Sequence, residues 1–114
     1  MKVDGHDIND SLYKISLEGR LDFTGVTDAI ESETFSRMCS TPTKSVILDL
    51  SDVVFIASMG ISMLLIGCKL IKNLGGKVAL VAPRQEIKNV LNISGFDRIV
   101  DVFDDINSAA KSIS

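Results

Sequence analysis

The sequence predicts a single α/β domain over residues 1–114, a mixed, mainly parallel sheet of four to five strands packed with about four helices. Three observations carry that expectation: apolar periodicity that switches between two and about 3.6 residues, an order of strand, strand, helix and then three strand–helix alternations, and short connections throughout. Such alternation implies right-handed crossovers between neighbouring parallel strands. At 46% hydrophobic and 24% charged residues, with two prolines, the chain has the composition of a protein that buries a core.

The elements follow in order. A weak first strand is expected over 2–8, turning through Asn9-Asp10 into a second in which Tyr13, Ile15 and Leu17 alternate with Lys14, Ser16 and Glu18. After Gly19-Arg20-Leu21-Asp22, a helix is expected from about 24 to 39, with Val26, Ala29 and Ile30 on one face and Ser40-Thr41-Pro42-Thr43 breaking it. Residues 46–50 form an aliphatic run of the kind buried on both faces of a parallel sheet. Ile61, Leu64, Leu65 and Cys68 outline the buried face of a second helix that ends near Gly75-Gly76. A strand over 78–82 stops at Pro83, Ile87, Val90 and Leu91 mark a third helix closed by Gly95, and 99–103 reads as the last strand. Ile106, Ala109, Ala110 and Ile113 fit a final helix, with Asp104-Asp105 at its positive end.

Composition also excludes function classes. A formal charge of −3 without any Lys/Arg run argues against nucleic acid as a direct partner. The longest apolar stretch, 53–68, is interrupted by Ser58, Gly60, Ser62 and Gly67, so no membrane insertion is expected. The opening Met-Lys-Val-Asp-Gly-His-Asp lacks a secretory leader, and a cytoplasmic location is the expectation. Cys39 and Cys68 have no partner at a metal-ligand spacing and read as reduced thiols. His6 is the single histidine and lacks a ligand set, so neither a metal nor another cofactor is expected. Gly75-Gly76 ends a helix instead of opening one, unlike a phosphate-cradling loop.

The stretch Phe55-Ile56-Ala57-Ser58-Met59-Gly60-Ile61 joins a buried strand to a helix, the place where open α/β sheets gather their sites. Ser58 stands where an N-cap is expected, and a capping serine accounts for it without any further role. Asp22 reads equally as a helix cap or a partner contact, and Arg20 as a solvated side chain or an interface rim. Met59 and Met63, four apart, fit either an apolar patch or core. Catalysis is not expected, because Ser58 lacks the Gly-x-Ser-x-Gly elbow and His6 lies in the N-terminal segment.

An aliphatic strand ending Asp-Leu-Ser-Asp, then Val-Val-Phe-Ile and a serine before Met59-Gly60, resembles the STAS domain of bacterial anti-sigma factor antagonists. Gly19-Arg20-Leu21-Asp22, Leu74-Gly75-Gly76-Lys77 and Ile93-Ser94-Gly95-Phe96 are similar to that family's other landmarks. The resemblance implies a STAS-like fold and a partner switch: the unmodified protein binds an anti-sigma factor that doubles as a serine kinase, and phosphorylation of Ser58 releases it. A phosphatase acting on Ser58 is implied as a further partner. Arg20, Asp22, Phe23, Ala57, Met59, Gly60 and Ile61 are the expected partner-binding residues around Ser58. Ala57 and Met59 depart from the family's Asp-Ser-Ser/Thr-Gly pattern at the Asp and second hydroxyl positions. Those departures keep a second reading open, a STAS-like subunit that binds a transporter ATPase or a sensor scaffold without phosphorylation.

Overall fold

A computed structural model describes residues 2–31 and 45–113. Strands β1 (Lys2–Asn9) and β2 (Leu12–Leu21) form an antiparallel hairpin, and helix α1 (Phe23–Glu31) follows. The remainder of the helix expected up to 39, Cys39 and the break at 40–43 lie outside the described residues, as do the side chains of Val26, Ala29 and Ile30. Then come β3 (Ser45–Ile56), α2 (Ser58–Asn73), β4 (Val78–Val81), α3 (Gln85–Ile93), a single 3-10 turn at Phe96–Arg98, β5 (Val102–Phe103) and α4 (Ile106–Ile113). The sheet runs β1-β2-β3-β4-β5, parallel from β2 onward. Five strands and four helices among the described residues match the expected mixed, mainly parallel α/β architecture.

Alternation along the strands builds a core on each face of the sheet. Tyr13, Ile15, Leu17, Leu48 and Leu80 meet Met63, Leu64, Cys68 and Ile71 of α2 and Ile87 and Leu91 of α3. On the opposite face Leu12, Ile47, Ala79 and Val81 meet Ala109 and Ile113 of α4. Met63 is therefore core, and Met59 alone of that pair is exposed. Cys68 lies on the buried face of α2, and burial pushes its thiol pKa up to about 12.

Two corrections to the expected elements share a cause, local backbone irregularity, which in β3 also involves a distant arginine. The strand expected over 46–50 continues to Ile56, because β3 gains one residue relative to β2 between Asp49 and Asp52 and another between Val53 and Phe55. Each bulge resets the pleat, so core positions fall at Leu50, Val53 and Ile56, three apart, while Val54 and Phe55 both face outward. Asp49 Oδ1 accepts the Ser51 amide at 3.0 Å, and Arg84 Nε donates to the Ser51 carbonyl at 2.9 Å, 33 residues away in sequence. The strand expected over 99–103 shrinks to Val102–Phe103, since buried Phe96 begins the 3-10 turn and its carbonyl accepts the amides of Ile99 and Val100.

Candidate functional site

The carboxyl ends of β2 and β3 lie side by side, with Arg20 opposite Phe55 and Leu21 opposite Ile56, and α1 and α2 start there. Ser58 is not the N-cap of α2. Ala57 holds that position with extended backbone (φ −86°, ψ 167°) and no side-chain cap, and Ser58 is the first helical residue, exposed. The reason lies in the neighbouring strand: the Ala57 amide donates to the Leu21 carbonyl at 3.0 Å, which fixes the turn one residue earlier. The Ala57 carbonyl then accepts Gly60 N at 2.9 Å and Ile61 N at 3.1 Å. The amides of Ser58 and Met59 open the helix, where no intrahelical acceptor exists for them.

Gly60 makes this docking possible. A Cβ there would stand 2.6 Å from the Leu21 carbonyl oxygen and 2.8 Å from Leu21 Cγ. Gly60 is buried and Ile61 half-buried against the core, so both support the turn beneath Ser58, while Ala57 is half-buried beside it.

On the β2 side, Asp22 caps α1: its Oδ1 accepts the Gly25 amide at 3.1 Å, and Arg20 Nε lies 3.3 Å from Oδ2. The Gly25 amide, and then Arg20, hold the Asp22 carboxyl below its usual pKa, with partial burial opposing. Asp22 is thus a structural cap whose other oxygen orients Arg20. The Arg20 guanidinium also lies over the Phe55 ring, 4.4 Å from its centroid. Phe55 was not foreseen as part of this surface, because its outward orientation depends on the second bulge in β3. At the same end of the sheet Phe23, Val54 and Met59 are exposed, Phe23 by 70%. A hydroxyl at a helix start thus stands beside an exposed apolar group of residues and one arginine.

His6, on β1, pairs with Lys14, seven residues before Leu21 along β2, which puts it about 20 Å from the Ser58 end. The chain's single histidine is therefore not in reach as a base for Ser58. Among the described residues no group of three or more His, Cys, Asp and Glu side chains could hold a metal ion, and no helix is long and apolar enough to cross a membrane.

A family model described as the STAS domain matches residues 6–109. Proteins of Thermotoga neapolitana and Thermotoga maritima named as anti-sigma factor antagonists are each 35% identical over 68 residues. That match spans 60% of this chain and 60% of the relatives' own length. The crystal structure of the Thermotoga maritima anti-sigma factor antagonist superposes with a TM-score of 0.84 at 25% identity, over 97% of this chain and 93% of that one. The phosphorylated form of Bacillus SpoIIAA gives a TM-score of 0.70 at 16% identity over 99% and 100% of the two chains, a likeness of fold alone.

Proposed function

The chain belongs to the STAS domain family, and from that premise we propose that it is an anti-sigma factor antagonist whose partner binding is switched at Ser58. In this reading it is a single non-enzymatic domain acting in the cytoplasm. Unmodified, it binds an anti-sigma factor that is also a serine kinase; phosphorylated on Ser58, it lets go, until a phosphatase restores the hydroxyl. Arg20, Phe23, Phe55 and Met59 form the contact surface around the serine.

The observation that carries the proposal is the placement of Ser58: exposed, first in its helix, and beside solvent-facing Phe55 and Met59. A kinase can reach such a hydroxyl. A phosphate there adds about −1.5 to −2 charges next to the open amides of Ser58 and Met59, where the helix dipole favours an anion. The domain tolerates this. A partner packed over the serine and its apolar neighbours has to desolvate or pair the new charge, and an unpaired buried charge is strongly unfavourable. The switch therefore acts on the complex and leaves the fold alone.

The test pairs modification with affinity. The protein is incubated with ATP and each serine kinase encoded beside it, and phosphate is mapped by mass spectrometry. Phosphate on Ser58, and a Ser58→Asp variant that stays folded but binds the kinase at least about tenfold more weakly, are expected. Absence of phosphate with every kinase, or full affinity in Ser58→Asp, would refute the switch. Ala57 and Met59, which replace the family's Asp and second hydroxyl, favour a second reading, a STAS subunit that binds a transporter ATPase or sensor scaffold unmodified. Stable capture of such a subunit, with Ser58 unphosphorylated, is its signature.

A further inference from the structure

Beyond Ser58, the C-terminal half of α2 and its C-cap turn an apolar stripe outward. Ile66, Leu70 and Leu74 follow at spacings of four, and they are 59%, 41% and 40% exposed. These spacings keep one helical face, over about 12 Å. The buried face of the same helix is complete without them, formed by Gly60, Met63, Leu64, Gly67, Cys68 and Ile71. The stripe is therefore not displaced core but a second apolar face on one helix.

Charge selects the occupant. The chain as a whole carries −3, yet α2 contains Lys69 and Lys72 and no acidic residue. Lys72 donates to the Ile99 carbonyl, whereas Lys69, exposed between Ile66 and Leu70, has no carboxylate partner among the described residues. A second copy laying its α2 on this one would bring two more lysines and no carboxylate, which like-charge repulsion disfavours. We propose that the Ile66–Leu74 face of α2 docks an amphipathic helix of a partner protein whose apolar stripe is flanked by carboxylates, the carboxylates pairing with Lys69. The mode is a helix lying along a helix, read by anchors at three- and four-residue spacing. Because Ile66, Leu70 and Leu74 lie away from the helix start, this docking does not depend on the state of Ser58.

The probe is a synthetic helix of about 18 residues, long enough to cover the stripe, with leucines at three- and four-residue spacing flanked by glutamates. An otherwise identical peptide carries lysines instead. Amide chemical shifts of the labelled protein are followed on titration. The acidic peptide is expected to shift amides of residues 66–74 and to bind at least about tenfold more tightly than the basic one. Ile66→Glu and Leu70→Glu, both at exposed positions, are expected to abolish that binding, and Ser58→Asp to preserve it. Equal binding of both peptides, shifts elsewhere on the domain, or binding unaffected by Ile66→Glu overturns the proposal. So does sedimentation showing a dimer that Ile66→Glu dissociates, or binding to anionic lipid vesicles without binding to the peptide.

Discussion

The starts of α2 and α4 solve the same problem in opposite ways. Each helix begins with backbone amides that lack intrahelical acceptors. At α4 a side chain answers them: Asp105 Oδ1 accepts the Ser108 amide at 2.7 Å, and that amide, with the Ser108 hydroxyl, holds the Asp105 carboxyl below its usual pKa. Asp22 does the same for α1. At α2 no side chain caps, no acidic residue occupies the first turn, and the start is held from outside by the Leu21 carbonyl. The difference teaches where the molecule keeps an electropositive helix end unneutralised. It is the end that presents Ser58.

The largest effect is expected from breaking the external anchor. Gly60→Ala places a methyl group 2.6 Å from a strand carbonyl that cannot move without disturbing β2. Overpacking of this kind outweighs the gain of about 1 kcal/mol in helix propensity, and the net loss is expected to be about 2 kcal/mol by urea denaturation. A neutral Gly60→Ala would mean that α2 is not seated on Leu21. Next in size is conversion of the α2 start into the capped kind. Ala57 already has the extended backbone of an N-cap, so Ala57→Asp supplies the missing acceptor and is expected to stabilise the protein by about 1 kcal/mol. If stability does not rise, the open amides at Ser58 and Met59 already have partners.

Much of this was legible in the sequence, and the rest was hidden for identifiable reasons. Period-two alternation in 12–18 and helical spacing in Ile87, Val90 and Leu91 gave the right elements, because their burial depends on local pattern. β3 did not, since its bulges move core positions from every second residue to every third, through an Asp49 turn and an Arg84 bond that no local window contains. The site divides along the same line. Ser58 could be singled out by the motif around it, but its place one residue inside the helix depends on Leu21, and the exposure of Phe55 depends on the second bulge. Of the two readings of Asp22, the cap needed the Gly25 amide to be seen, a contact that no sequence pattern supplies.

A smaller effect tests whether the α2 start accepts charge. Ser58→Asp puts a carboxylate within the first turn, where the dipole contributes about 0.3–1 kcal/mol in its favour. The thermal midpoint is expected to hold or rise slightly in low salt and to return toward wild type as salt is added. A clear fall in the midpoint would show that Ser58 supports the fold in a way its exposure does not reveal, and the switch would lose its separation of fold from binding.

The smallest effect, and the sharpest contrast between the helix starts, comes with acid. Asp22 and Asp105 have folded pKa values lowered from the ordinary 3.8, chiefly by the amides of Gly25 and Ser108. For a depressed carboxyl the unfolded chain takes up the proton first as pH falls, so the stabilising contribution is complete above the unfolded value and disappears as pH drops through the folded one. Below pH 3.8 the caps of α1 and α4 should therefore weaken progressively. The start of α2 has no carboxylate cap to lose. Amide chemical shifts read this residue by residue: Gly25 and Ser108 should titrate together with midpoints under 3.8, while Ser58 and Met59 stay flat through the same range. If the Ser58 and Met59 amides followed the acid titration as well, some carboxylate would already occupy the α2 start, and the contrast between a capped and an open helix end would disappear.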